Sequence, residues 1–478
     1  MVKLHSLYLK LREQLHLIYL IYAIPLVLLA AILTPPYQVP DEEHHFMRAE
    51  QVSRLELVAH FIHDQVSASA IKNTKKDSST VLFPEPGGYE VDKGIPLSGS
   101  YFRQIYYHAE VKVDKLKMNE AKKIKWSTNT VLWNFGNTAI YCPIPYIMPA
   151  IGIEIGKKLD WPVIKTLYLA RILNGIFCIT LCFWALRLSK RTNILMFIVL
   201  LLPMTVSLFG SASQDAILIS CCFLLAGLID NIQLQEPRKY LNWQLFAMGV
   251  LITIIGLSKL PYMVFILTFL FLDVTLRKKL LIIGLPLLMV LLWFFIDHKT
   301  LSVIWAPPEL HINAKLQVLH IIQRPFRYLS LFFKMDFRAI FDNLRMFIGI
   351  LGWEDLWFPQ FYYACAFAVL IIGFTVSGKI KLIDNVRMRI AALVCAVLAL
   401  IAVMTVQYIT WTALDNNTLY GMQGRYLLPI FPLLAIGLGY QVKGKDLTPL
   451  KTILSYVILL FPLFTIVILI EGIISRYY

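Results

Sequence analysis

Residues 139–155 read Ala139-Ile140-Tyr141-Cys142-Pro143-Ile144-Pro145-Tyr146-Ile147-Met148-Pro149-Ala150-Ile151-Gly152-Ile153-Glu154-Ile155, and whether they cross a membrane decides the arrangement of everything after them. The stretch is apolar enough to resemble a span, yet Pro143, Pro145 and Pro149 interrupt helical hydrogen bonding and suit a segment lying at an interface. Charge settles the choice, because short cytoplasmic loops collect Lys and Arg. With 139–155 at the interface and the next span at 163–186, Arg187, Lys190 and Arg191 fall on the side of the N-terminal Lys3, Lys10 and Arg12. So do Arg238 and Lys239, Arg277 to Lys279, Lys379, Lys381, Arg387 and Arg389, and Lys443, Lys445 and Lys451. The short connections on the other side keep only Lys259, Arg425 and Arg476. A crossing at 139–155 would turn fifteen of those eighteen basic groups outward, so the interfacial reading is preferred.

The chain has 478 residues, 58% of them hydrophobic and 16% charged, more apolar surface than one soluble core uses. Runs such as 194–210, 280–296 and 453–470 are long enough to cross about 30 Å of hydrocarbon. They are too long and too uniformly apolar for barrel strands, so helices that satisfy their own backbone are required. The expected fold is an all-α polytopic membrane protein with eleven spans, near 15–34, 163–186, 193–210, 213–232, 243–258, 261–275, 280–297, 360–376, 389–411, 427–441 and 452–472. It divides into a cytoplasmic segment with the first span (1–34), a first outer loop of short helices and turns (35–162), spans two to seven (163–296), a second outer loop (297–359) and spans eight to eleven (360–478). The first run ends at Thr34-Pro35-Pro36 without a small-residue cleavage site and reads as a retained helix. The net charge of +15 is scattered at helix ends, which points to membrane lipid and topology, not nucleic acid. Six of seven cysteines lie in apolar runs and only Cys142 in a polar region, so no disulfide framework is expected.

Polar chemistry gathers outside the first span, in Pro40-Asp41-Glu42-Glu43-His44-His45-Phe46. Acids at a helix start are favoured for structural reasons alone, and Asp41 can serve as an N-cap. Held at the membrane surface, the same carboxylate can take a proton from a substrate hydroxyl or ligate a divalent ion such as Mg or Mn, with His45 one helical turn away. A zinc site fits poorly, because one short helix cannot aim all these ligands at one point. In Gly421-Met422-Gln423-Gly424-Arg425-Tyr426 a guanidinium stands in a glycine-bracketed turn, matching phosphate geometry or serving as an Arg-Tyr interfacial anchor. Lys259 either supplies a second phosphate contact or snorkels. Asp215 and Arg171 are ionisable groups at the edge of or inside apolar runs and need a partner; Asn174 or Asp215 is the expected partner of Arg171, and Asp215 can instead cap its own helix. Gly352-Trp353-Glu354-Asp355 reads as a substrate wall or as packing.

Pro40-Asp41-Glu42-x-His44-His45-Phe46, Tyr141-x-Pro143-x-x-Tyr146, Ala170-Arg171-x-x-Asn174, Pro203-Met204 with Ser211-x-Ser213-x-Asp215, Lys259-x-x-Tyr262, Leu351-Gly352-Trp353 and Gln423-Gly424-Arg425-Tyr426 together resemble a bacterial polytopic membrane family of uncharacterised function. That family is similar to the GT-C glycosyltransferases, by analogy of fold and motif order. The resemblance implies an inverting transferase using a polyprenyl-phosphate-linked sugar, acting on a cell-envelope glycan, lipid or protein acceptor at the outer face of the cytoplasmic membrane. It implies Asp41 and Glu42 as catalytic acids, Arg425, Lys259 and Tyr426 at the donor phosphate, and His45, Arg171, Asp215, Trp353 and Gln423 around the substrate. No Asp-x-Asp triplet follows the first helix, which leaves a metal on Asp41 open and no cofactor assigned. A transporter or flippase of lipid-linked saccharides, or a glycan polymerase or ligase, is the alternative.

Overall fold

A computed structural model of the chain describes residues 13–63, 87–232, 242–301, 311–334, 336–377, 386–414, 416, 418, 419, 421–439 and 448–478. Lys3, Lys10, Arg12, Arg238, Lys239, Lys379, Lys381, Lys443 and Lys445 lie outside the described residues. Among the described residues, six helices are long and apolar enough to cross a membrane: Leu15–Leu33, Val163–Leu188, Gln214–Ile232, Leu276–Ile296, Val386–Trp411 and Leu450–Tyr477. Three shorter apolar helices accompany them, Asn242–Ser258, Leu260–Phe271 and Gln360–Val376. All seven cysteines are free.

The elements that place the site are, in chain order, α1 (Leu15–Leu33), α2 (Glu42–Ser53), α3 (Ile147–Lys158), α4 (Val163–Leu188), α5 (Asn193–Leu200), α6 (Pro203–Phe209), α7 (Gln214–Ile232), α8 (Asn242–Ser258), α9 (Phe337–Gly349) and α10 (Phe431–Leu438). α7 is central and packs against both α4 and α8. Residues 193–210, expected as one span, are two helices, because Pro203 cannot donate to the preceding turn. The Thr205 hydroxyl donates instead to the Val199 carbonyl at 2.8 Å. The segment expected at 261–275 is a 3₁₀ helix, Leu260–Phe271, and that at 427–441 is a 3₁₀ turn, Gly424–Leu427, followed by the short α10. Uninterrupted α-helices therefore do not form at these three places.

The decisive stretch behaves as its prolines require. Pro143 precedes a 3₁₀ turn, Ile144–Tyr146, and α3 has only 12 residues. At 1.5 Å per residue α3 is about 18 Å long, too short to cross the hydrocarbon. It lies along the first half of α4, where a Cβ at Gly152 would stand 2.8 Å from the Ala170 Cα, so the lack of a side chain permits the approach.

The region after α1 differs from the all-helical expectation. Strands β1 (Ile62–His63), β2 (Gly87–Asp92) and β3 (Thr130–Trp133) form an antiparallel sheet in that order, with Tyr89 opposite Trp133 and Val91 opposite Val131. Tyr89 and Val91 are buried while Glu90 is exposed. The alternation is too brief to stand out in sequence, and its partners are distant along the chain.

The helices have two chemically distinct ends. On α7, Asp215 stands near the start and Asp230 near the end, about 22 Å apart by helical rise. Asp230 accepts from Arg191 Nε at 2.6 Å and from the backbone of Lys190 and Arg191, while Lys278 donates to Asn242 at the start of α8. Asp215 belongs to the opposite end, with Asp41, Lys259 and Arg425.

Candidate active site

The scaffold of the site begins where α1 stops. Pro35 and Pro36 end the helix and leave its last carbonyls without intrahelical donors. Arg171, on α4, supplies them: Nη1 donates to Ala31 O at 2.9 Å and Thr34 O at 2.7 Å, and Nη2 to Pro35 O at 3.0 Å. The same guanidinium forms a bidentate pair with Glu42, at 2.7 and 2.5 Å, both side chains being fully buried. Glu42 also accepts from the backbone N–H of Tyr37 and Ala212. The partner of Arg171 is thus Glu42, not Asn174 or Asp215; Asn174 donates to the carbonyls of Ser211 and Ser213. Every oxygen of Glu42 is engaged in joining α1, α2, α4 and the start of α7.

Asp41 occupies the N-cap position of α2, yet its side chain makes no capping bond. Its backbone is left-handed, φ +62°, a conformation Asp tolerates better than most residues. The turn aims its carboxylate away from the helix, so that Oδ2 accepts from Arg425 Nη2 at 3.1 Å and Oδ1 from Asn137 Nδ2 at 3.2 Å. The Asn137 carbonyl oxygen stands 2.8 Å from His44 Nδ1. Asn137 escaped the sequence reading because it is an isolated amide, in the short helix Gly136–Ala139, with no motif around it.

Asp215 does not cap α7; the Ser213 hydroxyl accepts from its N–H. Its carboxylate lies 2.7 Å from Lys259 Nζ and 3.9 Å from Arg425 Nε, the latter too far for a hydrogen bond. Lys259 and Arg425 share the face of Tyr426, at 4.7 and 5.5 Å from the ring centre. Tyr426 is held in turn by its carbonyl, which accepts from the Tyr262 hydroxyl at 2.9 Å. His45 packs between Tyr141 and Tyr146, with Nδ1 2.8 Å from the Tyr146 hydroxyl. Gln423 donates to Glu354 at 2.9 Å, and Trp353 donates from its indole to the Tyr37 carbonyl. Asp41, Asp215, Lys259, Arg425 and Tyr426 therefore form one cluster with His45 beside it, while Arg171 and Glu42 form the frame behind it.

Two features give this cluster chemical potential. Arg425 is only 9% exposed, and its Nε and Nη1 have no hydrogen-bond partner among the described residues, so a buried cation holds N–H donors in reserve. It closes an open cleft of about 400 Å³, solvent included, whose walls are Val39, Pro40, Met204, Leu208, Met346 and Ile350 and whose rim carries Glu354 and Gln423. Burial works against ionisation of Asp41, but the Arg425 guanidinium, His45 and His44 together outweigh it and hold the carboxyl below its usual value of 3.8. Burial pushes His45 down to about 4 against the pull of Asp41 and Asp215, leaving it neutral at pH 7. Burial also favours neutral Lys259, but Asp215 beside it, with Tyr141 and Tyr426, prevails and keeps it protonated. Among the described residues no three His, Cys, Asp or Glu side chains converge as a metal-binding group. The two acids face cations instead, a donor set that does not fit a divalent ion.

Gly424 sets the position of Arg425. A Cβ there would collide with the Asn343 carbonyl and the Phe347 N–H of α9, both backbone atoms that cannot step aside. Gly424→Ala is expected to lose about 1–3 kcal/mol of stability and to displace Arg425 from Asp41. Thermal unfolding followed by labelling of the buried thiols, with a crystal or cryo-EM structure of the variant, would check both effects; an unmoved Arg425 would refute the second.

These elements define a polytopic membrane protein whose helices converge at one end on a buried acid–base cluster. Residues 25–434 match the family described as predicted membrane protein DUF2142, and the chain belongs to that family. The match spans the cluster from Asp41 to Tyr426. No curated protein and no solved structure gave a match.

Proposed function

We propose that the protein is an inverting glycosyltransferase of GT-C-like architecture, with eleven membrane-embedded segments. It moves a sugar from a polyprenyl-phosphate donor to a cell-envelope acceptor on the outer face of the bacterial cytoplasmic membrane. The observation that supports this reading is an apolar cleft ending in a buried guanidinium with unpartnered N–H groups, beside an ionised carboxylate. A lipid phosphate has the matching form, an isoprenoid for the walls and an anion for Arg425.

The reaction is a single displacement. The acceptor hydroxyl oxygen attacks the anomeric carbon, the bond from that carbon to the phosphate oxygen breaks, and the hydroxyl proton passes to Asp41. The electron pair leaves with the phosphate, and Arg425 stabilises the charge that grows there. Lys259 is committed to Asp215 and acts by fixing the field around Arg425 and Tyr426. Glu42 and Arg171 position the loop that bears Asp41 and do not touch the reacting atoms.

The test is release of polyprenyl phosphate by purified protein from a panel of polyprenyl-phosphate sugars, with and without envelope glycans. Acceptor-dependent release with a new glycan product supports transfer. Movement of intact donor between the leaflets of proteoliposomes, without release, would replace transfer by transport.

The electrostatics give a pH prediction. Asp41 must be ionised to act, and its lowered pKa keeps it so until the pH falls below the ordinary carboxylate range. In Arg425→Gln the opposing charge is gone while partial burial remains, so the acid limb of kcat/KM should move to higher pH. A pH–rate profile of the residual activity checks this, and a limb that stays in place would separate Asp41 from the observed titration.

A further inference from the structure

Three aromatic rings stand together beside the cleft. Trp353 stacks on Tyr106 with ring centres 4.4 Å apart, and Tyr107 lies 5.2 Å from the same indole. Two of the rings are anchored: Trp353 through its bond to the Tyr37 carbonyl, and Tyr106 through its hydroxyl, which donates to Glu43 at 3.3 Å. Tyr107 is different. It is 68% exposed, and among the described residues its hydroxyl makes no hydrogen bond. Its backbone is left-handed, φ +61°, which a bulky residue adopts only where the surroundings impose it.

The imposing structure is visible. Arg476, from the last helix, donates to the carbonyls of Ile105, His108 and Val111 and to Asp355 at 2.5 Å. One guanidinium thus ties the loop of Tyr107 to the loop of Trp353. The second loop is also strained at Glu354, φ +64°, and turns at Gly352, φ +61°, a conformation open to glycine, where a Cβ would meet the carboxylate of Asp355 and stand 2.6 Å from the Tyr477 hydroxyl. Strain concentrated on an open aromatic side chain contributes little to packing and is of the kind retained at binding sites. Next to the rings, Gln423 donates to Glu354, and the buried Gln423 side-chain carbonyl oxygen has no donor among the described residues. The Tyr107 hydroxyl lies in the field of Asp41, Glu354 and Arg425, which places it beside the cluster.

A flat apolar surface bordered by a carboxylate and an amide matches a pyranose ring, which has an apolar C–H face and a rim of hydroxyl donors and acceptors. We propose that Tyr107 and Trp353 form the acceptor subsite, which takes a sugar ring against the open face of Tyr107, its hydroxyls reaching Glu354 and Gln423 and one of them directed to Asp41. The acceptor class is then a glycan, not a peptide or a simple lipid. The assignment rests on the transferase reading for its direction of use, but binding can be measured without any donor.

Saturation-transfer NMR on the purified full chain in detergent, with cellobiose, maltose, mannobiose and chitobiose as probes, tests it. Transfer from protein aromatic protons to sugar C–H protons is expected for at least one probe in the wild type and in Asp41→Asn. It should be retained in Tyr107→Phe and lost in Tyr107→Ala. In the donor-release assay, Tyr107→Ala should raise the KM for the glycan roughly tenfold while the KM for the donor stays constant. Absence of saturation transfer to all four sugars, or equal transfer in Tyr107→Ala, would overturn the subsite. If wild type releases polyprenyl phosphate and Tyr107→Ala keeps its glycan KM, the subsite fails and the transferase reading stands. If sugars bind at Tyr107 and no donor is ever cleaved, the transferase reading fails and the sugar site stands.

Discussion

Asp41→Asn is expected to lower the rate of sugar transfer by about 10²- to 10⁴-fold, the range by which a positioned base accelerates proton abstraction. The substitution is nearly isosteric, and the asparagine carbonyl can still accept from Arg425 or Asn137, the two groups bonded to the carboxylate at 3.1 and 3.2 Å. It removes the negative charge and with it the capacity to take a proton. It also leaves Arg425 with one fewer counter-charge, so donor binding should be kept or tightened while the chemical step collapses. Single-turnover release of polyprenyl phosphate, with donor affinity measured on the same sample, separates the two. Equal rates in the two proteins would remove Asp41 from the mechanism and return it to the role of a helix-start residue.

Glu42→Gln is expected to act on folding, not on a reacting atom. The Glu42–Arg171 pair is fully buried and bidentate, and removing one partner leaves an uncompensated charge, a loss on the order of 3–5 kcal/mol. Arg171→Met should lose a similar amount, since it strands the carboxylate and also releases the carbonyls of Ala31, Thr34 and Pro35. The double variant should recover part of the loss, because the two side chains are coupled and their effects do not add. Temperature-dependent labelling of the buried Cys178, Cys182, Cys221 and Cys222, which lie on the packed α4 and α7, reads the stability directly. A Glu42→Gln protein that melts like wild type but transfers no sugar would reverse the assignment and make Glu42 catalytic, as the sequence resemblance implied.

The two acids of one dipeptide therefore receive different tasks, a distinction that no property of the dipeptide contains. Asp41 and Glu42 are adjacent, chemically alike and both at the start of a helix. Their separation comes from the left-handed turn at Asp41, which sends one carboxylate toward Arg425 while the next residue points back toward Arg171.

The sequence by itself determined what depends on local composition and period. Six long apolar runs form helices long enough to cross a membrane among the described residues, since runs so long and uniformly apolar satisfy a backbone in hydrocarbon as helices and not as barrel strands. The prolines of 139–155 kept that stretch from becoming a long helix, and the glycines around Arg425 marked a tight turn. Asp215 and Arg171 were recognisable as ionisable groups at or inside apolar runs that needed partners, and Asp41, Lys259 and Arg425 as charges beside the ends of such runs. Only the tertiary structure decided which partner each took, because the pairs join residues 384, 129 and 44 positions apart, where loop closure and packing choose among several cations of equal local plausibility. The small sheet, the Asn137 bridge and the Tyr107 platform were invisible for the same reason. Each is made by short segments that have no signature alone and acquire a role only when Arg171, Arg476 and the core of α4 and α7 bring them to one place.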